Sequence, residues 1–207
     1  MAARRPLRVP FSGLLLAGIA AAVVVPSCSD PVHDQEVAAL GPEDPSIPKG
    51  EYHRAGQPCT VCHGPEGPAQ TTFSVAGTIF WNPYEGTTGA TGVTGANGAI
   101  VSLVDSYGSQ YQIQANCVGN FWVSPALYNP SFPMLAAIGI QGETNTSMFT
   151  QISRSGSCAT CHSDPPNYNA VGHVYLTTTN EPAAAVSEDG NCPVDPNLAD
   201  EGSPGVP

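Results

Sequence analysis

The 207-residue chain is long enough for one ordinary domain with extensions, and it is poor in charge and rich in turn-forming residues. Charged residues make up 11% of it, whereas its 22 glycines and 21 prolines favour short strands and irregular segments over long helices. The formal net charge is −11. Beyond position 28 only Lys49, Arg54 and Arg154 are basic against 17 acids, so that this part of the chain carries about −14. Without a basic stripe a nucleic-acid partner is excluded, whereas a cationic protein partner is favoured.

The first 27 residues have the layout of an export signal. Three arginines precede an apolar run of 15 residues, which is short for a transmembrane helix. The run ends in Val25-Pro26-Ser27-Cys28, which resembles a bacterial lipobox, where the cysteine is lipidated and becomes the mature N-terminus. We therefore predict a signal peptide over 1–27 and a lipid anchor on Cys28. The alternative is an ordinary cleaved signal peptide with an incidental Cys28.

The segment that follows, residues 28–50, has four prolines, several acids and no sustained apolar period. Such a segment has too little apolar surface to form a core. We predict a disordered tether that joins the lipid anchor to the rest of the chain.

The next feature is Cys59-Thr60-Val61-Cys62-His63, two cysteines and a histidine within five positions. A C-x-x-C pair is used by zinc sites, by dithiol redox centres and, with a following histidine, by covalent haem attachment. The motif taken alone leaves these three chemistries open.

Between residues 71 and 140 the sequence changes to short apolar runs separated by turn residues. In the first run Phe73, Val75, Ile79 and Trp81 share one parity, and in "QYQIQA" glutamines alternate with apolar residues, which is typical of half-buried strands. The predicted strands lie in the runs 71–81, 99–105, 110–115, 120–124 and 133–140. We predict a mainly β protein with few short helices, in which a small antiparallel β-sandwich is flanked by two irregular segments.

The order of these runs resembles the carboxypeptidase regulatory-like, or prealbumin-like, β-sandwich. That family has G-x-V, then G-A-x-V-x-L, a turn glycine and T-x-x-x-G-x-F-x-F. The resemblance covers about a third of the chain and implies a sandwich domain of a kind often used in adhesion or stalk units. The matching positions are Gly77, Gly98, Ala99, Val101, Leu103, Gly108, Gly119 and Phe121.

A second motif, Cys158-Ala159-Thr160-Cys161-His162, repeats the first. Paired zinc-binding C-x-x-C motifs usually lie about 15–20 residues apart, whereas about 95 residues separate these two, and neither zinc binding nor dithiol exchange explains a histidine in both. Haem attachment explains all five positions, since the cysteines form thioethers with the vinyl groups and the histidine ligates the iron. The pair resembles the motifs of small multihaem c-type cytochromes of bacterial envelopes. The resemblance implies two covalently bound haems c, one on Cys59, Cys62 and His63 and the other on Cys158, Cys161 and His162.

One further histidine lies near each motif, and we predict His53 and His173 as the sixth ligands of the two irons. The spacing leaves open whether each serves its own haem or they cross over. Met134 and Met148 are rival ligands, although Met134 lies in a predicted strand and is expected in the core. Arg54, next to His53, has two possible roles, a partner for a haem propionate or a solvated side chain.

Two cysteines, Cys117 and Cys192, remain once the motifs and Cys28 are assigned. In an oxidising envelope we predict one disulfide between them. Two unpaired thiols are the alternative.

These expectations converge on a lipid-anchored dihaem electron carrier of the bacterial cell envelope, facing the periplasm or the cell surface. Its partners would be redox proteins, either cationic proteins or other multihaem cytochromes, and the oligomeric state is left open. The alternatives are a dihaem peroxidase or reductase with one open iron position, and a surface binding or adhesion module that carries structural haems. The predicted organisation is a signal peptide (1–27), a lipid-anchored tether (28–50), a first haem-binding segment (51–70), a prealbumin-like sandwich (71–140), a second haem-binding segment (141–180) and an acidic tail rich in proline and glycine (181–207).

Overall fold

The computed structural model of the protein describes residues 30–43, 45, 50–83, 95–140, 146–163 and 170–176. The predicted signal peptide, the lipidation site Cys28, the acidic tail and Cys192 lie outside the described residues. The strands are β1 (Val75–Phe80), β2 (Ile100–Val104), β3 (Gln110–Gln114), β4 (Asn120–Val123), β5 (Leu135–Gly139), β6 (Thr146–Ser147) and β7 (Val174–Tyr175). The helices are α1 (Pro31–Ala39) and α2 (Cys59–His63), together with a 3₁₀ turn at Cys158–Thr160. The prediction of a mainly β fold with few short helices is confirmed.

The strands form two sheets. One has the order β3-β2-β5-β6 with antiparallel neighbours throughout, and the other has the order β4-β1-β7, in which β1 is antiparallel to β4 and parallel to β7. Apolar side chains from both sheets form one core, because alternate residues of each strand point inward. Its largest fully buried members are Ile79, Trp81, Leu103, Ile113, Phe121 and Met134.

The five predicted strands correspond to β1–β5. The alternation in β3 is confirmed, since Ile113 is fully buried and the three glutamines of the strand are exposed. The expectation that Phe73 shares a face with Val75, Ile79 and Trp81 is wrong. Phe73 precedes β1 and packs with Ala76 and Trp122 in a second apolar cluster, outside the main core.

Strand β1 is buried on both faces, along all six of its residues. One face joins the main core through Val75 and Ile79. The opposite face is covered by Phe73 and Cys59, which pack in one cluster with Ala76 and Trp122, and by the His173 ring, which lies against Phe80. The two segments that carry the cysteine motifs therefore lie along β1.

The structure differs from the predicted disordered tether at residues 31–39, which form α1. Proline is favourable in the first turn of a helix, and Gly41, at a φ of 69°, follows the last turn where a left-handed residue commonly ends a helix. Within the described part of the chain, no helix has both the length and the apolar character needed to cross a membrane.

Candidate functional site

The first motif forms a single helical turn, α2, after Pro58. Residues three and four apart share one side of a helix, so that Cys59, Cys62 and His63 point in similar directions. The backbone after the turn is tied down, because the Phe73 amide donates to the His63 carbonyl at 2.7 Å. His63 itself is 9% exposed.

The His63 ring is held in one tautomer. Its Nδ1–H donates to the Thr71 carbonyl at 2.8 Å, and the ring stacks on Phe73 with centroids 4.2 Å apart. Because Nδ1 is the donor, Nε2 carries the lone pair. Metal-bound histidines are commonly oriented in this way, with the second nitrogen donating to a backbone carbonyl.

His53 lies next to His63, with ring centroids 5.8 Å apart and planes inclined by 45°. Two imidazoles that ligate one iron from opposite sides have centroids about 6 Å apart, because each metal–nitrogen bond is about 2 Å and each centroid lies about 1 Å beyond its nitrogen. The Nδ1 atom of His53 also contacts a backbone carbonyl, that of Gly50. The structure therefore brings the two histidines of the first motif together at the spacing of an axial pair.

A cavity separates α2 from the segment 50–58. Both cysteines of the motif, both histidines and Arg54 line it, with Trp122 on the side of the sheet. Its volume is about 50 Å³, far smaller than a haem, so that a haem attached here would not be enclosed. The donor set nevertheless fits a c-type haem, since two thiols and two histidines face one space.

The first thiol of each motif has a raised pKa, whereas a redox-active cysteine has a lowered one. Burial, with a smaller contribution from the neighbouring Cys62, raises the pKa of Cys59 to about 11. Burial raises the pKa of Cys158 to about 12, with smaller contributions from Cys59 and Cys161. Dithiol exchange depends on a lowered thiol pKa, so that Cys59 and Cys158 are poorly suited to start it.

The second motif begins in the 3₁₀ turn and repeats the histidine geometry of the first. The His162 amide donates to the Cys158 carbonyl at 2.9 Å, and the ring Nδ1–H donates to the Gly172 carbonyl at 3.1 Å. Next to it, Val171 is 74% exposed, and Cys161 is exposed as well. The cysteine and the apolar residue thus both lie on an open surface.

His173 is arranged differently from His53. It is buried, its ring centroid lies 4.4 Å from that of Phe80, and its Nε2–H donates to the Asn82 carbonyl at 3.1 Å. The lone pair is consequently on Nδ1, and ligation through Nε2 would require the ring to leave Asn82. The structure brings His53 to its motif histidine but commits the Nε2 of His173 to a backbone carbonyl.

Both methionines considered as rival ligands, Met134 and Met148, lie in or beside the strands of the sandwich. Met134 is 1% exposed in the main core, as expected from the sequence. The Met148 amide donates to the Ala136 carbonyl of β5 at 2.9 Å, which places its backbone at the edge of the four-stranded sheet.

Arg54 is engaged by the end of α1. Its guanidinium donates to the carbonyls of Leu40 (3.2 Å) and Gly41 (2.7 Å) and to the side chain of Gln57, and it pairs with Glu43 at 3.7 Å. The solvated side chain considered from the sequence is wrong, because these contacts leave the Arg54 side chain 19% exposed, and the role as a propionate partner stays a prediction. A cation at the carbonyl end of a helix is favourable.

A buried polar network that the sequence did not single out fixes the loop that carries His53. Asn120 of β4 donates from Nδ2 to the carbonyls of Glu51 (3.2 Å) and His53 (3.1 Å). Thr78 of β1 donates to Asn120 Oδ1 at 2.7 Å and accepts from the Gly56 amide at 2.7 Å. The available signal was an asparagine and a threonine inside otherwise apolar strands.

The two motifs contact β1 in different ways. Cys59 packs against the apolar cluster that contains Ala76. The second motif runs along the edge of β1, where the Ala76 amide donates to the Gly156 carbonyl at 2.9 Å, and Cys158 lies beside Gly77 against the main core. Among the described residues, no group of three or more histidine, cysteine, aspartate or glutamate side chains is arranged to hold a metal ion.

Cys117 is disulfide-bonded, and the four motif cysteines are free. Because Cys192 lies outside the described residues, the Cys117–Cys192 pairing stays a prediction.

The chain matches no protein-family model, no curated protein and no solved structure at a significant level.

Proposed function

We propose that the protein is a dihaem c-type cytochrome that transfers electrons in the bacterial cell envelope. The observation that carries the proposal is the repetition of one histidine geometry. In both motifs, His63 and His162 donate Nδ1–H to a backbone carbonyl and so have the Nε2 lone pair that an iron ligand needs. Disulfide exchange does not account for the same tautomer at both motifs, whereas metal ligation through Nε2 does. The distance of about 95 residues between the two motifs favours haem over a shared zinc site.

A bound haem supplies an iron centre that takes up and releases one electron. The chain attaches, ligates and shields it. The Cys59 and Cys62 thiols would hold the haem through thioether bonds, each S–H adding across one vinyl group. His63 would offer Nε2 to the iron, and Phe73, which stacks on the ring, excludes water from one side of the imidazole.

The experiment is a haem count on the protein purified from a bacterial host that matures c-type cytochromes. Intact mass and the alkaline pyridine spectrum should give two covalent haems per chain. The double variant Cys59→Ala/Cys62→Ala should retain one, and Cys158→Ala/Cys161→Ala the other. A wild-type mass with no haem, or with zinc, contradicts the proposal.

The envelope location is supported by the export signal and the lipobox at Val25-Pro26-Ser27-Cys28. Cys28 would anchor the mature chain to a membrane, and its acidic surface would favour cationic redox partners. Cells fed a labelled fatty acid should label the wild type, whereas Cys28→Ser should be unlabelled and soluble. Label on both, or on neither, argues against lipidation at this cysteine.

A second candidate function, a small dihaem peroxidase or reductase, is favoured by His173. Because its Nε2–H is committed to the Asn82 carbonyl, the second iron would keep an open position unless the ring turns. Carbon monoxide distinguishes the two functions. Rapid binding of one equivalent to the reduced wild type indicates the enzyme, and slow or absent binding indicates the electron carrier.

A further inference from the structure

Resting on the proposed function, we infer that the first haem is ligated by His53 and His63 together, and that Asn120 is the positioning residue that holds His53 in place. The inference selects one of the two ligand pairings that the sequence leaves open. It also gives a role to Asn120, which lies in neither cysteine motif.

His53 lies in a segment that cannot hold its own position. Residues 50–57 are a succession of turns, closed by hydrogen bonds such as the one from the Gln57 amide to the Arg54 carbonyl at 3.1 Å. Arg54 in this segment has a φ of 53°, a conformation that non-glycine residues adopt only when their surroundings impose it. Contacts from outside the segment therefore fix its backbone, whereas the His53 ring is oriented by the Gly50 carbonyl within the segment.

Asn120 supplies the contact at His53 itself. It is 6% exposed, it pairs with Thr78 across β1 and β4, and its amide nitrogen reaches the carbonyls of both Glu51 and His53. Thr78 extends the attachment to the Gly56 amide. Three backbone groups of the loop are thus fixed by side chains of two rigid strands.

Two apolar residues at positions 78 and 120 would stabilise the sheet without needing hydrogen-bond partners, whereas a buried polar group destabilises the fold unless it is fully hydrogen-bonded. The Thr78–Asn120 pair is satisfied only because the His53 loop supplies its partners. This reciprocal dependence, together with the 5.8 Å spacing of the His53 and His63 rings, indicates that the network serves to place His53 opposite His63.

The test uses the full-length diheme protein and compares Asn120→Asp with Asn116→Asp. The first change keeps the shape of the side chain but removes both donors, including the one to His53. The second removes a donor to Glu51 alone, since the Asn116 amide reaches only that carbonyl of the loop. Each variant is first checked for two covalent haems, and then for spin state and carbon monoxide binding.

For Asn120→Asp we expect a new high-spin fraction and up to one more equivalent of carbon monoxide than the wild type binds. Added imidazole should restore the low-spin spectrum, because it replaces a ligand and does not repair a misfolded chain. Asn116→Asp should resemble the wild type. If Asn120→Asp does not accumulate, His53→Ala provides the same readout and the same imidazole rescue.

The inference is overturned if His53→Ala binds two haems and keeps the wild-type spin state and carbon monoxide stoichiometry. The role of Asn120 alone is overturned if Asn120→Asp keeps them while His53→Ala does not. A wild type that carries no covalent haem is a separate outcome, and it overturns the proposed function.

Discussion

The backbone of Gly77 lies directly against the side chain of Cys158. A Cβ atom placed on Gly77 would come within 2.8 Å of the Cys158 Cβ, 3.1 Å of its Sγ and 3.0 Å of the Phe121 ring. Contacts below 3.0 Å are essentially never formed by real Cβ atoms. The absence of a side chain at Gly77 therefore creates the space that the first cysteine of the second motif occupies.

Replacing Gly77 with alanine should consequently harm the second motif more than the first. Overpacking a core typically costs about 1–3 kcal/mol, and we expect a loss of that size in the free energy of unfolding measured with urea. Haem content should fall from two towards one, because Cys158 and its neighbours are displaced. Peptide mass mapping would locate the missing haem on Cys158–His162.

Gly108→Ala is the control for the loss of stability. Gly108 has a φ of 81° and nothing within 4 Å of its Cβ position, so that alanine there strains the backbone without touching either motif. It should lower stability and leave two haems. Equal haem loss in both variants would show that general instability, and not the contact with Cys158, limits attachment.

Much of the sandwich could be predicted from the sequence because its strands alternate locally. The three glutamines of β3 mark its solvent face, and the five predicted strands correspond to β1–β5. The failure at Phe73 has a physical cause. The run was predicted to alternate with Phe73 in the same parity as the core residues of β1, but Phe73 lies before the strand begins. The face of β1 opposite the main core is covered by α2 and by the segment around His173, and burial by distant segments leaves no local signal.

The cysteines and histidines of the candidate site could be predicted from the sequence, but the side chains that hold their segments in place could not. Nothing local indicates that Asn120 and Thr78 would reach the His53 loop from more than 20 residues away in sequence. Arg54 illustrates the same limit. Its partners are the carbonyls that close α1, and a helix without buried residues has no apolar period to indicate it.

The disulfide of Cys117 gives a second prediction. Non-reducing peptide mapping should find Cys117 joined to Cys192, and Cys117→Ser should lower the free energy of unfolding. A bridge that closes a loop of about 75 residues constrains the unfolded chain by roughly 4 kcal/mol in chain-entropy models. Cys28→Ser should leave the bridge intact. A map that joins Cys117 to any other cysteine would refute the pairing.

A third prediction concerns the attachment of α1. Arg54→Lys keeps a positive charge near Glu43 but loses the planar guanidinium that reaches two carbonyls at once. Hydrogen bonds to charged groups contribute about 1.5–3 kcal/mol, so that residues 31–41 should exchange their amide hydrogens faster and become sensitive to protease. Arg154→Lys is the matched control, because Arg154 is exposed. Unchanged exchange in Arg54→Lys would mean that other contacts hold α1.

The last prediction follows from Asp105, at the turn between β2 and β3. Burial by itself would raise the pKa of its carboxyl, but the amides of Ser131, Ser109 and Tyr107 donate to it and together lower that pKa. A carboxyl whose folded-state pKa is depressed stabilises the protein above its unfolded-state pKa, about 3.9, and loses this contribution as the pH falls through the folded-state value. The wild type should therefore lose stability below about pH 4 in urea titrations, and Asp105→Asn should be less stable at neutral pH and lose less on acidification. Glu36→Gln, on exposed α1, should follow the wild type.

Tyr128 provides an independent readout of the Asp105 charge, because burial and then that charge raise the pKa of its phenol. In Asp105→Asn that pKa should fall, measured by ultraviolet titration, and an unchanged value would show that the carboxylate does not act at Tyr128.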